Sequence, residues 1–210
     1  MNYVIIGAGP AGVVAAETLR KNDPEGDITM ISGEGASPYS RMAIPYFLTG
    51  KIEESGTHLR KAKDHYDSNS IKVIAENVSK VDTKKSTVTL SNGDSVSYDK
   101  LLIASGATPV KPPVPGLDRV GVHHCWTLED AHNIVKHAVK GSDVVLMGAG
   151  FIGCIILESL LARGVNLTVV EAEDRMVPRM MNQIGGTMIK DWCIAKGANV
   201  LTSTRATSVD

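Results

Sequence analysis

The apolar positions of this chain fall in short runs separated by longer segments with helical composition. Each short run ends at a glycine or a polar residue, as is typical of buried strands that lead into turns. The order strand, helix, strand occurs twice. The predicted segments are residues 3–6, 11–20 and 28–31, and then residues 144–147, 151–163 and 167–170. Alternating strands and helices predict parallel sheets with right-handed crossover connections.

A different pattern lies between the two copies. Short β-type runs predict a small antiparallel meander, with Asn92-Gly93 as its hairpin turn. These runs are residues 73–74, 78–81, 87–90 and 96–98, and residues 101–104 follow them as a buried strand. Residues 109–116 contain four prolines, and we expect a domain boundary there.

Three further helices are predicted. Residues 42–48 are apolar, but the proline among them allows only a short helix. Thr127-Leu128-Glu129-Asp130 has the spacing of a capping box and begins a helix that we expect to end near Lys140. Another helix is expected between Asn182 and Lys196.

Composition excludes several classes of protein. The formal net charge is −1 and no basic run is long, so no nucleic-acid partner is indicated. No apolar run approaches the length of a membrane span, and the N-terminus lacks the features of a signal peptide. Cys125, Cys154 and Cys193 are far apart and form neither a redox pair nor a zinc pattern. We therefore expect a soluble, cytoplasmic protein.

The first glycine motif is Gly7-Ala8-Gly9-Pro10-Ala11-Gly12, placed between a predicted strand and a predicted helix. In a GxGxxG motif the first glycine allows a tight turn, the second lets the backbone approach a pyrophosphate, and the third lets helix and strand pack closely. The pyrophosphate then binds the free N–H groups at the helix N-terminus. An ordinary glycine-rich turn is the alternative interpretation.

The second motif, Gly148-Ala149-Gly150-Phe151-Ile152-Gly153, occupies the same context. Glu171 ends the following strand, where an acidic side chain can accept hydrogen bonds from a ribose 2′-hydroxyl group. A carboxylate there would repel a 2′-phosphate, so this pattern favours NAD over NADP. The alternative for Glu171 is a solvated strand end.

Glu34 is the nearest carboxylate after the second strand of the first copy. It either contacts a ribose or is merely exposed, and the sequence leaves both possibilities open. The histidines His123, His124, His132 and His137 lack a set of carboxylates or cysteines that would complete a metal site. Met176, Met180 and Met181 are interpreted as packing residues or as a surface covered by further chain.

Taken together, these features resemble the pyridine nucleotide–disulfide oxidoreductase superfamily. Leu101 to Pro109 is similar to that family's second FAD motif, and Thr127 to Ala131 resembles the helix that opens its NAD domain. Pro38-Tyr39-Ser40-Arg41 is similar to the subgroup of ferredoxin and rubredoxin reductases and nitrite reductase flavoproteins.

The resemblance implies an α/β fold with two Rossmann-like dinucleotide-binding units, for FAD and then for NAD. Each unit is expected to have a central parallel sheet and a small antiparallel β-meander, and the second unit is expected to be incomplete. The implied domains are residues 1–112 for FAD and residues 113–210 for NAD(H). A returning FAD segment and an interface domain are expected to lie outside this chain, which is then an N-terminal fragment.

The resemblance also implies which residues bind the two cofactors. The FAD contacts come from Gly7, Gly9, Pro10, Ala11, Gly12, Arg41, Val78, Ala104, Ser105 and Gly106. The NAD(H) contacts come from Gly148, Gly150, Ile152, Gly153 and Glu171.

The implied activity is transfer of electrons from NADH through FAD to a small redox protein or a fused metal-centre domain. Residues 38–48 contain no cysteine, in contrast to the disulfide and peroxide reductases of the family, so a redox-active disulfide is not expected. Ile155 replaces a glutamate that many members carry near the flavin, and no catalytic residue is assigned. The alternative is a non-catalytic nucleotide-binding fragment that can self-associate through an uncovered face, giving a possible homo-oligomer.

Overall fold

The computed structural model describes residues Met1–Asp210, which form two compact units. Unit 1 consists of residues Met1–Arg41 and Glu54–Thr108, and unit 2 consists of Met42–Glu53 and Pro109–Asp210. The division into functional domains at residue 112 stays a prediction. The α/β fold class is confirmed, because each unit contains a parallel sheet that is joined to helices.

Unit 1 is built on a four-stranded parallel sheet. Its strands are β1 (Asn2–Ile6), β2 (Asp27–Ser32), β3 (Ile71–Ala75) and β7 (Lys100–Ile103), in the order β3-β2-β1-β7. The crossover from β1 to β2 is helix α1 (Pro10–Asn22), and the short helix α3 (His65–Ser68) precedes β3. Since all four strands are parallel, the segments that follow them come together at one edge of the sheet.

The structure corrects the placement of residues 73–74, which we expected in the antiparallel meander. They belong to β3, which pairs in parallel with β2 in the register Ile28↔Ile71. The reason is burial, since Ile71 packs into the core on one face of the sheet and Ile74 packs against the core on the other. A short apolar run carries no periodicity that would distinguish the two kinds of strand.

The antiparallel meander itself consists of β4 (Val78–Asp82), β5 (Thr87–Leu90) and β6 (Ser95–Ser97). Val88 and Leu90 of β5 are buried with Val4 and Ile31 of the parallel sheet, so the meander covers one face of that sheet. Residues 109–210 contain no antiparallel sheet, so the expectation of a second meander is wrong for this chain. That part of the sequence has no hairpin signal of the Asn-Gly type.

Unit 2 contains a three-stranded parallel sheet in the order β10-β9-β8. Its strands are β8 (Asp143–Met147), β9 (Asn166–Val170) and β10 (Asn199–Leu201), and its helices are α2 (Ile44–Leu48), α4 (Leu128–His137), α5 (Phe151–Ala162) and α6 (Gln183–Ala195). The predicted capping box is confirmed. Thr127 Oγ1 accepts a hydrogen bond from the N–H of Asp130, whose carboxylate accepts one from the N–H of Thr127.

Helix α4 ends at His137, three residues before the expected Lys140. The last carbonyl groups of α4 accept hydrogen bonds from the guanidinium group of Arg163, which lies at the end of α5. Nε donates to the carbonyl of Ala138 at 2.7 Å and Nη2 to that of Val135 at 2.7 Å. Nη1 donates to the carbonyl of Leu48, at the end of α2, at 2.9 Å. One side chain therefore joins the C-terminal ends of three helices in unit 2.

We predict that Arg163→Ala destabilises unit 2 by about 2–4 kcal/mol, because three part-buried carbonyl groups lose a charged donor. Both tryptophans, Trp126 and Trp192, lie in unit 2, so urea unfolding followed by their fluorescence reports on this unit. Arg179→Ala, at an exposed position of the same unit, is the control. Equal unfolding midpoints for the two variants would contradict this role of Arg163.

Candidate nucleotide-binding sites

The two glycine loops leave their strands in the same way. The N–H of Gly7, after β1, donates to the carbonyl of Ile31 at 2.8 Å, and the N–H of Gly148, after β8, donates to the carbonyl of Val170 at 2.8 Å. Both glycines have positive φ angles, +111° for Gly7 and +94° for Gly148. Only glycine adopts such a backbone readily, so each first glycine is required by the turn.

Each loop then passes directly into a helix. Gly9 precedes α1 and Gly150 precedes α5, and the two glycines have nearly the same backbone conformation. The φ and ψ angles are −76° and −176° for Gly9, and −72° and −174° for Gly150. No side chain caps either helix. The first-turn N–H groups of both helices are therefore available to bind an anion such as a pyrophosphate.

The third glycine of each motif lies against the first. A Cβ atom on Gly12 would lie 1.9 Å from the carbonyl oxygen of Gly7, and one on Gly153 would lie 2.3 Å from that of Gly148. These contacts are with backbone atoms, which cannot rotate away. Any side chain at either position would push the helix off the turn.

The middle glycine of each motif, in contrast, has open space where a side chain would lie. A Cβ atom on Gly9 or Gly150 would meet no protein atom within 4 Å. The fold therefore does not require a glycine at either position. A ligand that lies against the backbone does require one, and this observation fits a bound dinucleotide.

The segment Ala104, Ser105 and Gly106 follows β7 and lies beside the first loop. The parallel pairing of β1 with β7 matches Ile6 with Ile103, and the N–H of Ala104 donates to the carbonyl of Ile6 at 2.7 Å. A Cβ atom on Gly7 would lie 2.2 Å from the carbonyl oxygen of Ala104. The two segments that the sequence predicts on either side of FAD are therefore adjacent.

Glu34 is held by two neighbours rather than lying free at the surface. Its carboxylate accepts a hydrogen bond from the hydroxyl group of Tyr39, and its Oε1 lies 2.6 Å from Nη2 of Arg41. About a third of the Glu34 and Arg41 side chains remains exposed, 32% and 34% respectively. The exposed parts of the Glu34 carboxylate and the Arg41 guanidinium group face solvent beside the end of β2. Groups of these two kinds bind hydroxyl and phosphate groups.

Val78 begins β4 and is packed by its side chain against the core shared with Val4. The preceding Asn77 lies against Gly33, because a Cβ atom on Gly33 would lie 2.1 Å from Asn77 Oδ1. The chain at Val78 is thus close to the loop after β2. Its predicted contact with adenine through the backbone stays a prediction.

Glu171, after β9, is buried and bonded to the second glycine loop. Its Oε2 accepts a hydrogen bond from the N–H of Ala149 at 2.7 Å, and its Oε1 accepts one from the N–H of Glu173 at 2.9 Å. Only 7% of the residue is exposed, so it is not a solvated strand end. Each carboxylate oxygen keeps a second lone pair for a ribose hydroxyl group.

The carbonyl group of Ala149 is held by Val177, a residue that the sequence analysis did not identify. The N–H of Val177 donates to the carbonyl of Ala149 at 2.8 Å, and the thiol of Cys154 donates to the same oxygen at 3.7 Å. Val177 is buried and has a φ angle of +49°, which is a rare conformation for a β-branched residue. Strain of this kind persists where the surrounding contacts fix the backbone, and no sequence signal marks it.

We predict that Glu171→Ala lowers the stability of unit 2 by about 2–4 kcal/mol, because the N–H groups of Ala149 and Glu173 lose their acceptors. Glu171→Gln keeps one oxygen acceptor but places an NH2 group against the second N–H, so it should lose less than Glu171→Ala but at least about half as much. The measurement is urea unfolding followed by tryptophan fluorescence. Equal losses for both variants would show that the carboxylate does not hold the loop.

The three thiols lie in surroundings that suppress their reactivity. Burial, with a contribution from the nearby Asp130 carboxylate, raises the pKa of Cys125 to about 12. Burial and the neighbouring Cys154 thiol raise the pKa of Cys193 to about 11, and burial also raises the pKa of Cys154. The thiolate is the nucleophile, so these cysteines are poor candidates for redox chemistry.

We predict that the folded chain reacts slowly with a thiol-specific disulfide reagent at pH 8. A pKa of about 11 to 12 leaves a thiolate fraction on the order of 0.001 or less. The labelling of Cys125 and Cys193 should be at least roughly 100-fold slower than in urea, where burial is removed. Rapid labelling of one cysteine in the folded chain would point to a reactive thiol.

The other candidate residues do not form a site. His123 Nε2 lies 3.0 Å from His137 Nδ1, but residues 1–210 contain no group of three or more potential metal ligands. Ile155 is half-buried in α5, and Glu158, the nearest carboxylate, is exposed. None of the helices combines the length and the apolar composition of a membrane span.

The chain is similar in sequence to several oxidoreductases. Residues 1–210 match the family model described as pyridine nucleotide-disulphide oxidoreductase. The chain is 30% identical over 209 residues to the epsilon subunit of NADH-dependent phenylglyoxylate dehydrogenase from Aromatoleum evansii, covering 99% of this chain and 49% of that protein. It is 30% identical to rubredoxin-NAD(+) reductase from Pseudomonas putida, covering 100% of this chain and 54% of that protein.

The fold has matching solved structures. In the crystal structure of the covalent putidaredoxin reductase–putidaredoxin complex, one chain superposes with a TM-score of 0.91 at 25% identity, covering 97% of this chain and 50% of that chain. This chain therefore spans about half the length of the relatives that it matches. The resemblance inferred from the glycine motifs is confirmed.

Proposed function

Because this chain belongs to the pyridine nucleotide-disulphide oxidoreductase family, we propose that it is the FAD- and NAD(H)-binding part of an electron-transferring oxidoreductase. The observation that carries the proposal is the pair of glycine loops with one geometry. Each has an uncapped helix N-terminus and open space at its middle glycine. Two such sites in one chain fit two dinucleotides better than any single-ligand function.

Unit 1 is proposed to bind FAD. The first-turn N–H groups of α1, which begins at Pro10 and continues through Ala11 and Gly12, would bind the pyrophosphate. Glu34 would accept hydrogen bonds from the adenosine ribose, and Arg41 would contribute positive charge beside it. The segment from Ala104 to Gly106 would line the opposite side of the cofactor. These residues bind and orient the cofactor and transfer no proton.

Unit 2 is proposed to bind NADH through Gly148, Gly150, Ile152 and Gly153. Glu171 would accept a hydrogen bond from the ribose 2′-hydroxyl group while it holds Ala149 in place. The exposed carboxylate of Glu173 lies two residues further on and adds negative charge, whereas that of Asp174 is paired with Arg175 at 2.6 Å. A 2′-phosphate would be repelled there, which supports NADH rather than NADPH as the donor.

When bound, the two cofactors would supply the redox chemistry, namely hydride transfer and the delivery of electrons to an acceptor. A small redox protein or a fused metal-centre domain is the proposed acceptor, because rubredoxin-NAD(+) reductase and putidaredoxin reductase are among the relatives. The protein's own thiols take no part in this proposal, since residues 38–48 contain no cysteine and the three present have raised pKa values.

The test is the visible spectrum of the purified chain after FAD is added and free FAD removed, followed by anaerobic addition of NADH. We expect a retained flavin spectrum that NADH bleaches. Gly9→Ala should weaken FAD binding by about tenfold or more. Gly150→Ala should leave FAD binding unchanged and raise the NADH concentration needed for bleaching by a similar factor. Each variant is the control for the other, because neither added methyl group meets protein atoms.

A second candidate function is a folded nucleotide-binding fragment that does not catalyse. It is favoured by the fact that the chain spans about half the length of its relatives. A retained spectrum that NADH does not bleach would support FAD binding alone. A folded chain that retains no flavin would contradict the proposal for this chain and favour the second candidate.

A further inference from the structure

The peptide group between Ala149 and Gly150 is bonded to the protein at its carbonyl end only. That carbonyl accepts hydrogen bonds from the N–H of Val177 at 2.8 Å and from the thiol of Cys154 at 3.7 Å. The N–H of Gly150 has no partner among residues 1–210. Because the peptide bond is trans, its C=O and N–H groups point in opposite directions. Holding the carbonyl therefore directs the N–H of Gly150 away from Val177.

The glycine motif itself does not keep this peptide group in one orientation. Turning it over would carry the φ angle of Gly150 from −72° to a positive value, which glycine adopts at little cost. The carbonyl of Ala149 would then face a bound anion in place of an N–H group. In the first loop Pro10 restricts Gly9 to extended backbone, whereas Phe151 follows Gly150. The second loop therefore needs a contact from outside the motif.

Val177 is held by its surroundings in the conformation that makes this contact. It is β-branched and precedes Pro178, and both features favour a negative φ angle, yet its φ angle is +49°. The residue is only 5% exposed. Helix α6 lies directly against the residue before it, since a Cβ atom on Gly186 would lie 2.8 Å from the carbonyl oxygen of Met176. Packing therefore maintains a backbone conformation that the local sequence disfavours.

We propose that Val177 is a positioning residue for the NAD(H) site of unit 2. Its N–H, acting through the carbonyl of Ala149, keeps the N–H of Gly150 directed at the pyrophosphate of the dinucleotide. This role rests on the proposed function of unit 2 as the NADH-binding unit. Glu171 accepts the N–H of Ala149, so the two contacts together fix two successive peptide groups. A loop that is already ordered loses less entropy when the ligand binds.

Removing one backbone N–H group tests this role without changing any side chain. The full chain can be assembled by native chemical ligation at Gly153–Cys154, from recombinant, ¹⁵N-labelled residues 1–153 and synthetic residues 154–210. The synthetic part carries α-hydroxyisovaleric acid in place of Val177, which replaces the donating amide by an ester. The matched control carries lactic acid in place of Ala198, a buried residue whose N–H donates to the carbonyl of Cys193 at 3.1 Å. Each ester removes one hydrogen bond from unit 2, but only the first removes one from the glycine loop.

Inorganic pyrophosphate is the first probe, because its binding needs neither FAD nor hydride transfer. In the ligated wild-type chain it should shift the amide resonance of Gly150. The Val177 ester should raise its dissociation constant about tenfold, as expected when one hydrogen bond to a charged group is lost. The Ala198 ester should change it by less than about twofold. With FAD bound, the NADH concentration for half-maximal bleaching should rise by the same factor in the Val177 ester alone. The bleaching rate at saturating NADH should stay unchanged, because Val177 positions the loop and does not react.

Two results would overturn the role of Val177 and leave NADH binding by unit 2 intact. One is a Val177 ester that binds pyrophosphate and NADH as tightly as the wild-type chain does. The other is an equal loss of affinity in both esters, which would assign the effect to the stability of unit 2. A wild-type chain that binds neither ligand would overturn the proposed function of unit 2, and the role of Val177 with it. Pyrophosphate binding that depends on the Val177 N–H, in a chain that NADH does not bleach, would support the role of Val177 and contradict hydride transfer.

Discussion

The close approach of a helix to the turn before it is the constraint on which both units depend. In each unit the first-turn backbone lies within van der Waals distance of the carbonyl of the first loop glycine, and no side chain fits between them. Helix and strand are thereby placed so that the uncapped N–H groups point across the carboxyl edge of the sheet. The remaining site residues follow from this, because they lie on segments that leave the same edge.

The two units stabilise this turn through different neighbouring segments. In unit 1 the turn at Gly7 is closed on its outer side by the carbonyl of Ala104, because β7 continues the sheet beyond β1. In unit 2 no strand lies beyond β8, and a Cβ atom on Gly148 would meet nothing. The second loop is supported instead at Ala149, whose N–H donates to Glu171 and whose carbonyl accepts from the N–H of Val177. One backbone design is therefore stabilised by a neighbouring strand in one unit and by a loop in the other.

Much of this could be predicted from the sequence, because the relevant signals are local. The glycine motifs, the capping box at Thr127 and the strand–helix order depend on residues close in the chain. The misplaced strand β3 depends on long-range pairing with β2, which a short apolar run does not specify. The contacts of Arg163 and Val177 join segments that only the tertiary fold brings together, and nothing in their types indicated them.

The two hydrogen bonds of Glu171 bear on how coenzyme preference can evolve. Under the NADH site proposed above, a change of donor to NADPH would require the loss of the negative charge at this position, yet the same carboxylate accepts a hydrogen bond from the buried N–H of Ala149. A lineage that replaced it by a small residue would first pass through an intermediate with an unpaired buried amide. Replacement by an uncharged acceptor opens a route that avoids this intermediate. The contact from Val177 does not, because Val177 donates to the carbonyl of Ala149 and leaves its N–H group unpaired. The order of substitutions is thus constrained by the backbone of the loop as well as by the ligand.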